Sequence, residues 1–558
     1  MAIYHPPWMK PLGRPALFKR PFSATSYASR SVDLAVSGRI TTDPEDLRCH
    51  TSHRWLFDEE MQLAARYVPF NPHALESVAS EAVGSRCVRM DKVREDDFNR
   101  TLLLSFENGT EAVVRFPYSL LGPTDLITAS EAATTEFVRD TLHFPVPKVL
   151  AYSSPLHGTS VGAAYIITEK PRGMPLGLVT KGLQPSQRNA FVKNLCIWVG
   201  SYTAIAFTCA GSLYFAEDVK DFPHRTDIFF DGDQMPSHDP PYAIGPSVDW
   251  ELWRGSRQHL DVDRGPWIGP LSTVGGMVQC QQEWLRTISS DRHPQDPAYF
   301  NEDDASPALH IEALDGVLAC LPHVLPPSSK QTTYASLGPH NQLGANIHMD
   351  PSSNTVTAMA DWQRATIMPY YMQNTSLLAL EGPPCSNKES TSNEMQDDIF
   401  MLVELAQNVK TDPNARTLAL GILRKVLELN ATYAGERTNR ALYRMPLRTW
   451  EYSVQLLAQQ LVWLQENWRE SATDGAPCPM SFPEEDRELI TQDAWLFSLR
   501  MMYRLLLALR VRAGEDGRVP TEKYAEARML SDEFAKEWDA EERGPFPFQD
   551  GARSAMNS

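Results

Sequence analysis

No two of the eight cysteines form a CxxC pair; Cys49, Cys87, Cys196, Cys209, Cys280, Cys320, Cys385 and Cys478 are scattered over the whole chain. That spread argues against a disulfide framework or a zinc site and suits a reducing, intracellular compartment. His310, His323, His340 and His348 share one region, but their spacing matches no ligand set, so they read as core or surface histidines. A long Lys/Arg cluster is also missing, and the net charge is −18. Phosphate backbones demand a basic patch, so no nucleic-acid partner is expected. The chain has no internal repeat and no low-complexity block.

Acidic residues are absent ahead of Asp33, while that stretch carries Lys10, Arg14, Lys19, Arg20 and Arg30 together with Ser23, Ser26, Ser29 and Ser31. Basic, serine-bearing and acid-free is the composition of an organelle transit peptide, here residues 1–32. Arg20-Pro21-Phe22-Ser23 matches the arginine–x–aromatic–small pattern at which mitochondrial presequences are often cut. Pro6, Pro7, Pro11, Pro15 and Pro21 weaken an amphipathic helix there, and an apolar core of the secretory kind is missing. The expected location is mitochondrial, with cytoplasmic as the alternative if the segment is only a basic tail. Charge is missing again from Asn194 to Ala216, a run long enough to cross a bilayer. Its Ser201, Tyr202, Thr203, Thr208 and Ser212, with Gly200 and Gly211, favour a helix buried between lobes, so no transmembrane span is expected.

What is present describes a folded protein. The 558 residues are too many for one simple core, and 42% hydrophobic with 22% charged residues is a globular balance. Residues 33–54 read as a polar linker, and residues 55–170 as a β-rich lobe. There Thr101–Phe106 and Ala112–Phe116 flank Asn108-Gly109, the strongest short hairpin signal, with residues 95–100 as the loop leading in. A helix is expected from Ser130, as N-cap, to before Pro145, and strands at Val149–Tyr152 and Val161–Thr168. Residues 171–541 read as a mostly helical lobe, with helices near 187–210, 271–289, 397–410, 414–433, 448–468, 484–513 and 521–538. Residues 542–558 read as a flexible tail. β-hairpin, helix, strands, connector and helical lobe is the order of an α+β, bilobal protein-kinase-like fold: a small β-lobe plus a large helical lobe, with nucleotide between them.

A second hairpin interrupts the helical lobe. Asn346–Met349 and Thr355–Ala360 read as strands around the turn residues Asp350 to Asn354, and Asp361 follows. The hairpin brings Asn346 and Asp361 to the same end. Two oxygen-bearing side chains at one mouth can hold Mg²⁺ against nucleotide phosphates. Asn and Asp also flank hairpins simply because they suit turns.

Phe98-Asn99-Arg100, Ser130-Glu131-Ala132, the run Phe144 to Val149, Gly162 to Glu169, Gly211 to Phe215, Ile244 to Ser247, Asp263 to Trp267 and Asp361-Trp362-Gln363 occur in that order. The ordered set resembles the fungal aminoglycoside-phosphotransferase-like proteins over roughly residues 50–500. Ser52-His53-Arg54-Trp55-Leu56 and Phe70-Asn71 bring the likeness nearest to the "altered inheritance of mitochondria protein 9" group. The resemblance implies ATP and Mg²⁺ as cofactors. It places Arg115 on the nucleotide phosphates, paired with Glu131, and Phe98 and Asn99 at the nucleotide. The connector near Glu169 would offer backbone groups to adenine, and Asn346 and Asp361 would be the metal ligands.

Two departures qualify that likeness. The family's large-lobe loop reads His-x-Asp-x-x-x-x-Asn; anchored on Asn346, the His position falls on Pro339 and the acid position on Asn341. An amide accepts no proton near neutral pH, so the group that would activate the acceptor hydroxyl is missing. A shifted register would offer His340 or Asp350 instead, though Asp350 lies at the far end of the hairpin. Asp96-Asp97 also stand where relatives often carry glycines, and two acids beside a triphosphate repel it unless they point to solvent. The expectation is a mitochondrial pseudokinase or weak kinase with an ATP/Mg²⁺ cleft and an unidentified acceptor or protein partner. The alternatives are an active small-molecule kinase and an interaction scaffold that binds no nucleotide.

Overall fold

A computed structural model describes residues 44–154, 158–179, 184, 205–229, 241–287, 291–294, 296, 298–325, 335–338, 346–350, 352–353, 355–369, 372 and 445–550. The expected transit peptide (1–32), the expected helices at 397–410 and 414–433, and Pro339, His340 and Asn341 lie outside them.

After strand β1 (His53–Trp55), the small lobe is built on β2 (Cys87–Glu95), β3 (Asn99–Phe106), β4 (Glu111–Pro117), β5 (Val149–Tyr152) and β6 (Ile166–Glu169). They form one antiparallel sheet in the order β2-β3-β4-β6-β5. Gly109, at φ 80°, makes the expected turn between β3 and β4. The helix Pro72–Val83 packs against this sheet, burying Leu75 and Ala79 with Leu102, Leu104, Val114 and Ile167. Its ends follow the sequence: Asn71 accepts from the His73 and Ala74 amides, Pro72 opens the first turn, and Gly84 closes it at φ 71°. The second helix of the lobe runs Thr124–Asp140. It therefore begins before Ser130, which is a buried mid-helix residue and not a cap. Leu126, Ile127, Ala129, Ala133 and Phe137 of this helix join the core of the large lobe, so it is packed from both sides.

The large lobe carries β7 (Met174–Pro175), β8 (Ser212–Phe215), β9 (Tyr242–Gly245), β10 (Ala335–Gly338), β11 (Ile347–Met349), β12 (Val356–Met359) and β13 (Thr366–Pro369). β8 pairs with β9, β10 with β13, and β11 lies between β12 and β7. Helices Gly269–Thr287 and Pro307–Val324 pack on each other, and Val454–Glu466 packs on Pro307–Val324 and on the long helix Glu484–Val511. The expected helix 448–468 is broken at Ser453, which sits at φ 135° and caps Val454–Glu466. Of the uncharged run, the described residues 205–215 hold bridges and strand β8, so the expected helix 187–210 does not include residues 205–210; residues 187–204 lie outside the described residues. No helix among the described residues is long and apolar enough to cross a membrane.

The chain then returns to its start. β14 (Arg518–Pro520) pairs antiparallel with β1, matching Arg54 with Val519. Leu56, Phe57, Leu507, Val511, Val519 and Phe548 form a third core there. Two expected boundaries therefore move. Residues 44–54 are not linker, since they hold a helical turn (Pro44–Arg48) and open β1. The start of the expected tail is not loose either, because Phe548 is buried and the Asp58 amide donates to Asp550 at 2.8 Å.

Candidate functional site

Arg115 lies on β4, opposite Thr101 of β3 and Ile166 of β6, in the middle of the small-lobe sheet. One guanidinium nitrogen pairs with Glu131 Oε1, and the other donates to Asp361 Oδ1 at 2.6 Å. Glu131 sits on the helix Thr124–Asp140 with 1% of its surface exposed, and its Oε2 has no partner among the described residues. It is thus an interior carboxylate and not an acid of a first helical turn.

Asp361 comes from the hairpin. β11 and β12 pair Ile347 with Met359 and His348 with Ala358. The Ala360 amide donates to the Asn346 carbonyl at 2.8 Å and closes the mouth. Asp350 caps the opposite end of the hairpin from Asn346 and Asp361, accepting from the Ser352 amide and hydroxyl. Asn346 Nδ2 donates to Asp361 Oδ2 at 3.0 Å. Burial works against the Asp361 charge, but Arg115, then Arg94 and Arg364, outweigh it and hold the carboxyl below the usual carboxylate range. The structure thus brings Arg115, Glu131, Asn346 and Asp361 into one linked group from three separate elements.

The two lobes are fastened around this group. Asn99, at the start of β3, and Gln363 exchange amide hydrogen bonds of 3.0 and 2.7 Å, both residues buried. The Phe98 ring lies under the Arg364 guanidinium, 3.8 Å from centroid to Cζ. β7, just past the connector, pairs with β11 itself, matching Pro175 with His348. Gly173 permits this approach: at φ 86°, a Cβ there would stand 2.5 Å from the Met349 carbonyl oxygen. Tyr152 of β5 donates to Asp218 of the large lobe at 2.9 Å.

Asp96 and Asp97 are both engaged. Asp96 Oδ1 accepts from the Phe98 and Asn99 amides at 2.9 and 2.7 Å, and its other oxygen lies 3.3 Å from Arg94. Asp97 pairs with Arg518 from the returning C-terminal segment. The expected loop at residues 95–100 is accordingly a tight turn between β2 and β3, with Asn99 and Arg100 already in strand. Glu169 ends β6 opposite Ala112, exposed, its carboxylate accepting from the Lys148 amide at 3.3 Å. It stands about 10 Å along the sheet from the Arg115 register position, at the joint of the lobes and not in the charged group. The roles of Gln363, Arg364 and Arg518 escape sequence reasoning. Gln363 and Arg364 directly follow the Asp361-Trp362 motif, but nothing in their spacing says that they reach the small lobe.

The strand order, the helix packed between the lobes and the charged group at their junction define a bilobal α+β fold of the kinase-like kind. Comparison with known proteins supplies the particular relatives. The chain is similar to a subtelomeric hrmA-associated cluster protein of Aspergillus fumigatus, 27% identical over 472 residues, which are 75% of this chain and 87% of that one. It is also similar to altered inheritance of mitochondria protein 9, mitochondrial, of Meyerozyma guilliermondii, at 25% identity over 51% of this chain and 49% of that one. The Kluyveromyces lactis protein of the same name is 25% identical over 56% and 53%. The likeness to the mitochondrial inheritance group expected from the sequence thus appears in direct comparison, over about half of those relatives. No family model matches the chain. Among solved structures, an aminoglycoside-3'-phosphotransferase of type VIII aligns with 63% of this chain and 97% of its own, at 14% identity and TM-score 0.29. An amicoumacin kinase in complex with AMP-PNP and Ca²⁺ aligns with 80% and 94%, at 10% identity and TM-score 0.28.

Proposed function

We propose that this chain is a mitochondrial kinase-like protein whose interlobe cleft binds ATP with Mg²⁺ and which transfers phosphate weakly or not at all. The observation that carries the reading is the linked group Glu131–Arg115–Asp361–Asn346 at the lobe junction. A guanidinium held between two buried carboxylates is oriented before any ligand arrives, and its fork suits phosphate. Asn346 and Asp361 offer the hard oxygen donors that Mg²⁺ takes, and the spare Oε2 of buried Glu131 adds local negative charge. Those two residues would hold the ion, which when bound neutralises charge on the nucleotide phosphates. Phe98 and Asn99 close the cleft from the small lobe, and the connector after Glu169 borders the adenine end. With Asp96 satisfied within its turn and Asp97 paired, the two acids of the β2–β3 turn oppose a triphosphate less than their bare charges imply.

Asn341 is the reason for proposing weak chemistry. A general base contributes about 10²–10⁴-fold, so its loss cripples transfer while leaving nucleotide binding intact. The test is ATP turnover by wild type and Asn341→Asp. The reading expects negligible wild-type turnover and a gain of about 10²-fold or more in the variant. A wild type already as active as Asn341→Asp would establish an active kinase instead. The proposed mitochondrial location is supported by the names of the inheritance-protein relatives and by the composition of residues 1–32. A fluorescent fusion with residues 1–35 intact that stays cytosolic would refute it.

A further inference from the structure

The long helix Glu484–Val511 packs on Val454–Glu466 and Tyr524–Lys536 through one face, on which Ala494, Phe497, Leu507, Ala508 and Val511 are buried. A second apolar face lies on its other side. Trp495 is 47% exposed and Leu506 43%; Leu499 between them is half-buried, and exposed Leu505 borders them. Met502 and Leu509 continue the same four–three spacing in the sequence. At about 3.6 residues per turn, positions spaced in this way fall on one seam, opposite the buried face. Exposed apolar residues scattered singly are ordinary, but a seam running about four turns is not. Such a surface marks an interaction site, and its spacing is that of helices paired along their length.

The charges at the two ends of the helix say what pairs with it. It starts on exposed Glu484, Glu485 and Asp486, followed by exposed Glu488, and the arginine among them, Arg487, is held by Glu466 of the same molecule. It ends near exposed Arg510, with exposed Arg512 just beyond. Acids at the start and cations at the end suit the helix dipole, and they also make the exposed face complementary to itself. In an antiparallel pair about a two-fold axis, the acidic end of each copy meets the basic end of the other. Setting Trp495 of one copy against Leu506 of the other brings Glu488 within one helical turn of Arg510 of the other copy, twice in the interface.

We propose that the helix Glu484–Val511 is a self-association surface: two copies of this chain pair antiparallel through the seam of Trp495, Leu499 and Leu506, with Glu488 and Arg510 fixing the ends. None of these residues belongs to the charged group at the lobe junction, so the pairing stands or falls apart from the nucleotide reading.

Sedimentation of the full chain over a concentration series tests it. Wild type is expected to form a dimer, and Trp495→Ala to weaken it about thirtyfold or more. Charge reversal separates this from damage to the fold. Glu488→Arg and Arg510→Glu are each expected to weaken self-association about tenfold or more, because each sets like charges against each other. Mixed in equal amounts, the two variants are expected to form a heterodimer close to wild type in affinity, since each supplies the charge that the other lacks. A role within one molecule is not restored by mixing. Wild type that stays monomeric at about 100 µM overturns the proposal. That holds also if the monomer sediments with anionic vesicles and Trp495→Ala does not, which would make the seam a membrane-facing surface. Reversal variants that self-associate like wild type, or whose mixture gains nothing, overturn it as well.

Discussion

Arg115 faces two carboxylates at once, and each depends on it. Replacing it with Met leaves Glu131 and Asp361 buried without their cation, which costs about 3–5 kcal/mol of stability. Urea unfolding at neutral pH measures this. The pH dependence has a definite sign. Asp361 is held below its ordinary range, so its contribution is complete above about pH 4 and fades as pH falls through its folded-state value. The gap between wild type and Arg115→Met is therefore expected to narrow in acid. The chain announces some of these residues and hides others. Asn346 and Asp361 are legible because turn residues between two apolar runs make a hairpin whose ends must meet. Arg115 and Glu131 are legible only through the ordered motifs around them, since nothing in either residue's neighbourhood points to the other. Arg364 is hidden because its stacking on Phe98 across the lobe junction is set by three-dimensional surroundings and is invisible in spacing.

Among the elements, the β2–β3 turn and the segment after Asp361 decide how the lobes meet. Asn99 and Gln363 hold each other across the junction through both amides. Removing either partner strands a buried amide, so Asn99→Ala and Gln363→Ala are each expected to cost about 1–3 kcal/mol. Their double-mutant cycle should show a coupling of about 0.5–3 kcal/mol, whereas independent surface contacts would simply add. Element type was read well where punctuation was local, as in the Asn108-Gly109 hairpin. It failed where packing overrode punctuation. The helix Thr124–Asp140 runs through Ser130 because both of its faces are buried, and the helix Pro307–Val324 is not among the expected helices although Ser306-Pro307 is a sound start signal.

For the molecule as a whole, three cores are joined by polar links. Burial pushes the Glu451 carboxyl up, but Arg254 and Arg257 outweigh it and bring it to about 2. The stability it supplies is present above its ordinary value of 4.5 and lost as pH falls toward 2. Glu451→Gln is therefore expected to lower the melting temperature at pH 7, with the difference from wild type shrinking below about pH 4; an equal difference at every pH would contradict the ion-pair account. The C-terminal return was the least legible feature. β1 and β14 lie at opposite ends of the chain, and short polar strands carry no signal of so distant a partner.

The central claim is that the lobe junction is a nucleotide–metal site. Isothermal titration of ATP with and without Mg²⁺ into wild type and Asp361→Asn tests it most directly. The account predicts binding by wild type that strengthens with Mg²⁺, and loss of the Mg²⁺ dependence in Asp361→Asn. Wild-type protein that binds no ATP at millimolar concentration in the presence of Mg²⁺ would contradict it.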